Sequence, residues 1–272
     1  NYIETNHLGC IRSNAIKPCC MICIDGQFLS NDTAAISGNR GFLYGDGFFE
    51  SMRIRKRKIE FEDYHRQRFL KSLALLGFTN TEDLPKMFDD VYKLIDHLNI
   101  SDNGRIRASI YRKSSGLYAP AEHNFGYVIT GSPLESDYQL NEKGLTIAFY
   151  DDQFKMPGKY SEIKSLSSQL YVMASMFAQQ HQLDEVIVCN HLSNGIEGNT
   201  SNLFIVKNNI IQTSPLSEGA VDGVFRRQLI DKINKQQIRF EEIPLTRKMI
   251  IEADEIWFCN AVRAIRWVEK LN

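Results

Sequence analysis

Net charge, long apolar runs and cysteine are all scarce in this chain, and each shortage excludes a class of protein. Its 32 Lys and Arg residues against 33 Asp and Glu leave a formal charge of −1, without the basic excess that nucleic-acid binding requires. No nucleic-acid partner is expected. No apolar stretch approaches the roughly 20 residues of a membrane helix, so no membrane association is expected either. The opening residues, NYIETNHLGCIRSNAIKP, contain no secretory apolar core and read as an irregular extension. Six cysteines in 272 residues are too sparse for a disulfide scaffold. Cys19, Cys20 and Cys23 cluster as CCMIC, but no second pair and no histidines follow at ligand spacing, so no metal is expected. They read instead as filling at the start of an apolar strand. This usage implies a reducing, cytoplasmic compartment. A Walker A loop, HExxH, GxSxG and a glycine-rich dinucleotide fingerprint are missing as well.

What remains is ordinary globular composition, with 43% hydrophobic and 24% charged residues. Strand-like and helix-like segments alternate, predicting an α/β chain with mixed sheets in two domains. The expected division is an extension at 1–19, a small α/β domain at 20–131, a polar linker at 132–141 and a larger domain at 142–272. Strands are predicted at 21–24 and 27–29 around Asp25-Gly26, and at 48–54 and 58–61. RIRKRK (53–58) reads as the solvated tip and face of that second hairpin. Helices are predicted at 65–76, at 81–98 with Thr81 as N-cap, at 167–182 and at 224–235. Further strands are expected at 105–112, 125–130, 145–149, 185–189, 203–206, 210–213, 238–243 and 255–259, with a short helix near Arg247.

Four segments could carry chemistry. NRGFLYGDGFFESMR (39–53) is dense in glycines and aromatics just before a strand. In SEIKSLSSQLYVMASMFAQQ, Lys164 precedes a helix. A buried lysine loses its charge easily and becomes a nucleophile for an aldehyde. In NGIEGNTSNLFIV, Glu197 lies in a small, polar stretch that turns into an apolar strand. In SEGAVDGVFRRQ, Gly219 and Gly223 precede a helix whose first N–H groups suit a phosphate.

In this order and spacing the four segments resemble the class IV aminotransferases, the fold-type IV pyridoxal-phosphate enzymes. That group includes branched-chain aminotransferases, D-amino acid aminotransferases and aminodeoxychorismate lyases. The resemblance covers nearly the whole chain from about residue 20 and rests on YGDGFFE, the lysine, EGNTSNLFIV and the glycine loop entering FRR. It implies the two-domain D-amino acid aminotransferase-like fold, pyridoxal 5′-phosphate as cofactor, an amino acid and a keto acid as substrates, and a homodimer. By resemblance, Lys164 is the Schiff-base lysine and Glu197 the carboxylate paired with the pyridine nitrogen. Arg68, the backbone N–H groups of Val224 and Phe225, and the loop at Asn260 and Ala261 match the phosphate site. Tyr44, Phe49 and Arg107 fall where relatives line the substrate pocket. Where branched-chain enzymes carry a tyrosine five residues past the lysine, this chain has Gln169. The resemblance implies transamination, with aminodeoxychorismate cleavage to pyruvate and 4-aminobenzoate as the alternative.

Overall fold

Tight turns with positive φ start the first sheet. The computed structural model describes residues 21–30 and 38–272; the expected extension, with Cys19 and Cys20, lies outside them. β1 (Met21–Ile24) and β2 (Gln27–Ser30) pair antiparallel around Asp25 (φ 49°) and Gly26 (φ 87°). Both φ values are those of the primed turn that matches strand twist. β3 (Gly47–Arg55) and β4 (Lys58–Ile59) repeat this geometry at Lys56 and Arg57, without glycine. Completed by β5 (Asn103–Lys113) and β6 (Asn124–Pro133), the sheet is antiparallel in the order β2-β1-β6-β5-β3-β4. β6 runs two residues into the expected 132–141 linker.

Strand alternation gives this sheet two faces. Phe48, Met52, Ile54, Ile106, Ala108 and Ile110 point to one side, where α2 (Glu62–Leu75) and α3 (Leu84–His97) cover them. The intervening residues Phe49, Ser51, Arg53, Arg105 and Arg107 take the other side and line a cavity. Arg53 corrects the reading of RIRKRK as solvated. It is 4% exposed and donates to the Val262 carbonyl and Asn103 Oδ1. α3 also starts later than predicted. Thr81–Asp83 form a 3-10 turn and Asp83 is the N-cap, because Pro85 fits only the first turn of a helix.

The second sheet is mixed. Its order is β12-β11-β10-β13-β14-β7-β8-β9, with parallel pairs β14–β7, β7–β8 and β11–β12. The strands are β7 (Leu145–Lys155), β8 (Glu185–Asn190), β9 (Gly195–Gly198), β10 (Asn202–Lys207), β11 (Ile210–Thr213), β12 (Phe240–Glu242), β13 (Glu255–Asn260) and β14 (Ala264–Leu271). β9 also pairs with β10 through Glu197 and Asn202, closing six strands into a ring. β9 and β14 were not predicted. Gly195-Ile-Glu-Gly198 is too short and too glycine-rich to signal a strand, yet all four residues are buried. α4 (Gln169–Gln180) packs Ala174 and Ala178 on Val186 and Val188. α5 (Val224–Lys235), with the predicted boundaries, lays Phe225 on Phe204 and Trp257. α6 (Arg247–Ile251) covers the ring with Ile250.

Phe88 of α3 is fully buried, edge-on to Phe69 at 6.0 Å. Replacing it with alanine should lower unfolding stability by about 3–5 kcal/mol, the usual loss for a buried phenyl ring. Denaturant unfolding of the purified variant measures this; a loss under about 1 kcal/mol would show that the ring does not organise the core.

Candidate active site

The sheets meet where β3 hydrogen-bonds the segment leading into α4. Phe49 N donates to the Lys164 carbonyl at 2.9 Å, and Leu166 N donates to the Gly47 carbonyl at 3.1 Å. The chain approaches so closely here that a Cβ on Gly47 would collide with the Ile110 carbonyl. Lys164 is thereby set on the wall of a cavity of about 1140 Å³ that runs between the sheets. Its Nζ lies 4.7 Å from the centre of the Phe49 ring, whose other neighbour is the Arg107 guanidinium at 3.6 Å. Burial, then repulsion from Arg68, brings the Lys164 amine down to about 8, against the opposing pull of Glu197 and Glu50.

Glu197, at 2% exposed, reaches the same cavity from β9. The small, polar stretch around it is a buried strand, on which three donors fix the carboxylate. Lys155 Nζ lies 2.8 Å and Tyr171 Oη 2.6 Å from Oε1, and Val221 N donates to Oε2 at 2.8 Å. Burial and the neighbouring carboxylate push the Tyr171 phenol well above its ordinary value, so it stays a donor. Neither partner was foreseen. Tyr171 stands two residues beyond the expected tyrosine position at Gln169. Lys155 ends a strand 42 residues before Glu197 in the chain and gives no sequence signal at all.

Arg68 arrives from α2, 6% exposed and on the cavity wall. Its Nε and Nη2 donate to the two oxygens of Glu50 at 2.7 and 2.6 Å, and its Nη1 to the Asp222 carbonyl at 3.0 Å. Burial pushes the Glu50 carboxyl up, but Arg68 and His65 outweigh it and hold the group down at about 2. Beside Arg68, α5 begins at Gly223, an N-cap with no side-chain capping bond. A Cβ on Gly223 would collide with Asn202 Oδ1. Val224 and Phe225 line the cavity at this helix start. Asn260 and Ala261 are on the wall too, but the Asn260 side chain builds its own turn, with Oδ1 accepting from Val262 N at 3.0 Å and Arg263 N at 2.8 Å.

Nine of the ten expected residues therefore surround one cavity. Tyr44 is the exception. It ends α1 (Arg40–Tyr44), and the left-handed Gly45 (φ 63°) turns the chain away at once. Its ring packs on Tyr118 at 5.6 Å with the Arg40 guanidinium 4.9 Å above it, off the cavity wall. Sequence reasoning overlooked Arg105, which stands beside Arg107 on the same face of β5 and lowers that guanidinium further after burial. Neither arginine has a carboxylate partner among the described residues. No cluster of His, Cys, Asp or Glu among those residues could hold a metal.

A phosphate-bearing aldehyde fits these donors. An amine of lowered pKa can condense with a carbonyl, a tethered carboxylate can face a ring nitrogen, and an uncapped helix start with an arginine can receive a phosphate. Comparison with known proteins agrees. A family model described as amino-transferase class IV matches residues 47–271. A D-alanine aminotransferase of Bacillus licheniformis is 24% identical over 253 residues, which is 90% of this chain and 86% of the relative. A branched-chain aminotransferase of Thermoproteus uzoniensis superposes with a TM-score of 0.81 at 21% identity, over 93% of this chain and 87% of that one. The 4-amino-4-deoxychorismate lyase of Pseudomonas aeruginosa gives 0.79 at 22% identity, over 92% and 91%. These two structures share the fold.

Acylation of the cofactor-stripped chain with an amine-directed reagent, followed by peptide mass spectrometry, should label Lys164 along a curve that rises with pH through a midpoint near 8, as the ammonium loses its proton. A midpoint near the ordinary 10.5 would show a solvated amine and remove the nucleophile from this argument.

Proposed function

We propose a transaminase reaction for this chain, which belongs to the class IV aminotransferase family and so to enzymes that use pyridoxal 5′-phosphate. The observation that carries the proposal is the placing of a single amine of lowered pKa, Lys164, in the same cavity as a carboxylate tethered by three donors, Glu197. The bound cofactor supplies a carbonyl that condenses with amines and a ring that takes up the electrons left when a bond to Cα breaks. Lys164 would hold the cofactor through its Nζ, and the same Nζ, as a free amine, would carry the proton taken from the substrate Cα and give it back to the cofactor's carbonyl carbon. Burial brings the pKa of this amine down to about 8, closer to the working pH that suits a base. Glu197 is to hold a proton on the pyridine nitrogen. Lys155 and Tyr171 keep its carboxylate turned toward the cavity, while Val221 N secures the second oxygen. Arg68 and the N–H groups of Val224 and Phe225 take the phosphate, with Asn260 and Ala261 shaping the loop beside it. Phe49 walls the substrate space. Arg107, half-buried and without a carboxylate partner among the described residues, suits a substrate carboxylate.

Cleavage of aminodeoxychorismate is a second reading, favoured by one observation. Arg105 and Arg107 form an adjacent pair without acidic partners among the described residues, and that substrate carries two carboxylates. The visible spectrum of the purified protein separates the two readings. A cofactor band bleached by L-glutamate, D-alanine or a branched-chain amino acid supports transamination and gives the handedness. A band unmoved by all three, with pyruvate released from aminodeoxychorismate, supports the lyase.

Lys164→Ala should lose at least about 10³-fold in kcat while circular dichroism stays that of the parent. Wild-type turnover in that variant would sink the proposal. Glu197→Gln should keep the cofactor and lose about 10²-fold in kcat, the usual scale for removing one preorganised charge contact. An undiminished rate would take Glu197 out of the mechanism.

A further inference from the structure

We propose that Glu50 is the positioning residue for Arg68: its carboxylate, itself held by His65, locks the guanidinium in the orientation that receives the cofactor phosphate. The proposal rests on the assignment of Arg68 to the phosphate. Glu50 stands on the helix-facing side of β3, between Phe48 and Met52, where the sheet otherwise presents apolar side chains to α2 and α3. Glu50 and His65 are fully buried. An ion pair in such a place is weak support for stability, since apolar residues of similar volume commonly do as well. Its geometry points to orientation instead. Glu50 meets Arg68 through two parallel bonds and receives His65 Nδ1 at 2.7 Å on Oε2, so neither the carboxylate nor the guanidinium can rotate.

His65 Nε2, by contrast, is buried with no hydrogen-bond partner among the described residues, so the polar contact that fixes this ring is the one to Glu50. Of the five N–H groups of an arginine, three are engaged, two by Glu50 and one by the Asp222 carbonyl. The two that remain belong to a residue on the cavity wall, beside the start of α5.

Positioning and plain electrostatics predict opposite signs. Neutralising Glu50 removes a negative charge next to the phosphate site and leaves Arg68 uncompensated, so attraction through space would tighten phosphate binding. Loss of the lock would weaken it. Equilibrium titration of the full chain, stripped of cofactor, with pyridoxal 5′-phosphate and with pyridoxal decides between them. Both ligands condense with Lys164 through the same aldehyde; pyridoxal lacks the phosphate and closes to a hemiacetal in solution, a cost common to parent and variant that cancels in their ratio. Glu50→Gln should weaken pyridoxal 5′-phosphate binding by about tenfold to a hundredfold, the scale of losing a partner that orients a ligand-holding side chain, with less than about a twofold change for pyridoxal. In an Arg68→Met background, adding Glu50→Gln should change neither affinity further. His65→Asn keeps the Glu50–Arg68 pair and should show a smaller loss of the same phosphate-specific kind. It serves as the test should thermal unfolding show that Glu50→Gln does not fold.

Equal or tighter pyridoxal 5′-phosphate binding by the Glu50 variant would overturn the proposal, as would an equal loss for both ligands. A phosphate-specific loss in Arg68→Met with Glu50→Gln silent would sink the positioning role alone. If Arg68→Met itself spares the phosphate ligand, the arginine assignment falls, and this proposal with it.

Discussion

Two main-chain hydrogen bonds, from Phe49 N to the Lys164 carbonyl and from Leu166 N to the Gly47 carbonyl, join the two sheets at the lysine. They require Gly47, because a side chain there would meet the Ile110 carbonyl before the strands could approach. Backbone bonds of this kind fix position more rigidly than side-chain contacts, since no rotamer intervenes. The lysine is therefore held over Phe49 by the scaffold itself, and the walls of the cavity are the sheet faces that this junction brings together.

Charge is distributed around that junction with an excess of cations. Arg68, Arg105, Arg107, Arg263 and Lys164 face the cavity, and the buried carboxylates Glu197 and Glu50 are each already bound to basic partners. Burial first, and then the nearby guanidinium of Arg68, lowers the Lys164 amine, and the remaining positive potential suits ligands that carry phosphate and carboxylate groups. Glu197 is compensated by Lys155 and Glu50 by Arg68, as the desolvation of a lone carboxylate demands.

Parity along β3 and β5 divides structure from chemistry. Phe48, Met52, Ile106 and Ile110 build the core with α2 and α3, while Phe49, Arg105 and Arg107, one residue away, belong to the cavity. Glu50 breaks the pattern as a charge on the core face, and α2 answers it with His65 and Arg68. A shift of one residue in register would exchange the two faces, so the long antiparallel ladder between β3 and β5 is also what keeps the site in place.

Local signals alone located much of this protein. The positive-φ turn at Asp25-Gly26, the presence of α3 and both ends of α5 were legible, because turn chemistry and helix-end signals act within a few residues. The family resemblance added Lys164, Glu197, Arg68 and the α5 start, since those segments keep their order along the chain. Only the tertiary structure decided what depends on distant pairing. β9 is a strand because β8 and β10 flank it, not because its residues favour one. Lys155 and Tyr171 are partners of Glu197 because ring closure brings three separate segments to one point. Tyr44 left the cavity wall because Gly45 turns the backbone there, and Arg53 is buried because a loop more than 200 residues away accepts its hydrogen bond. A side chain's identity is written locally, but its burial and its partners are set by whichever segments the fold lays across it.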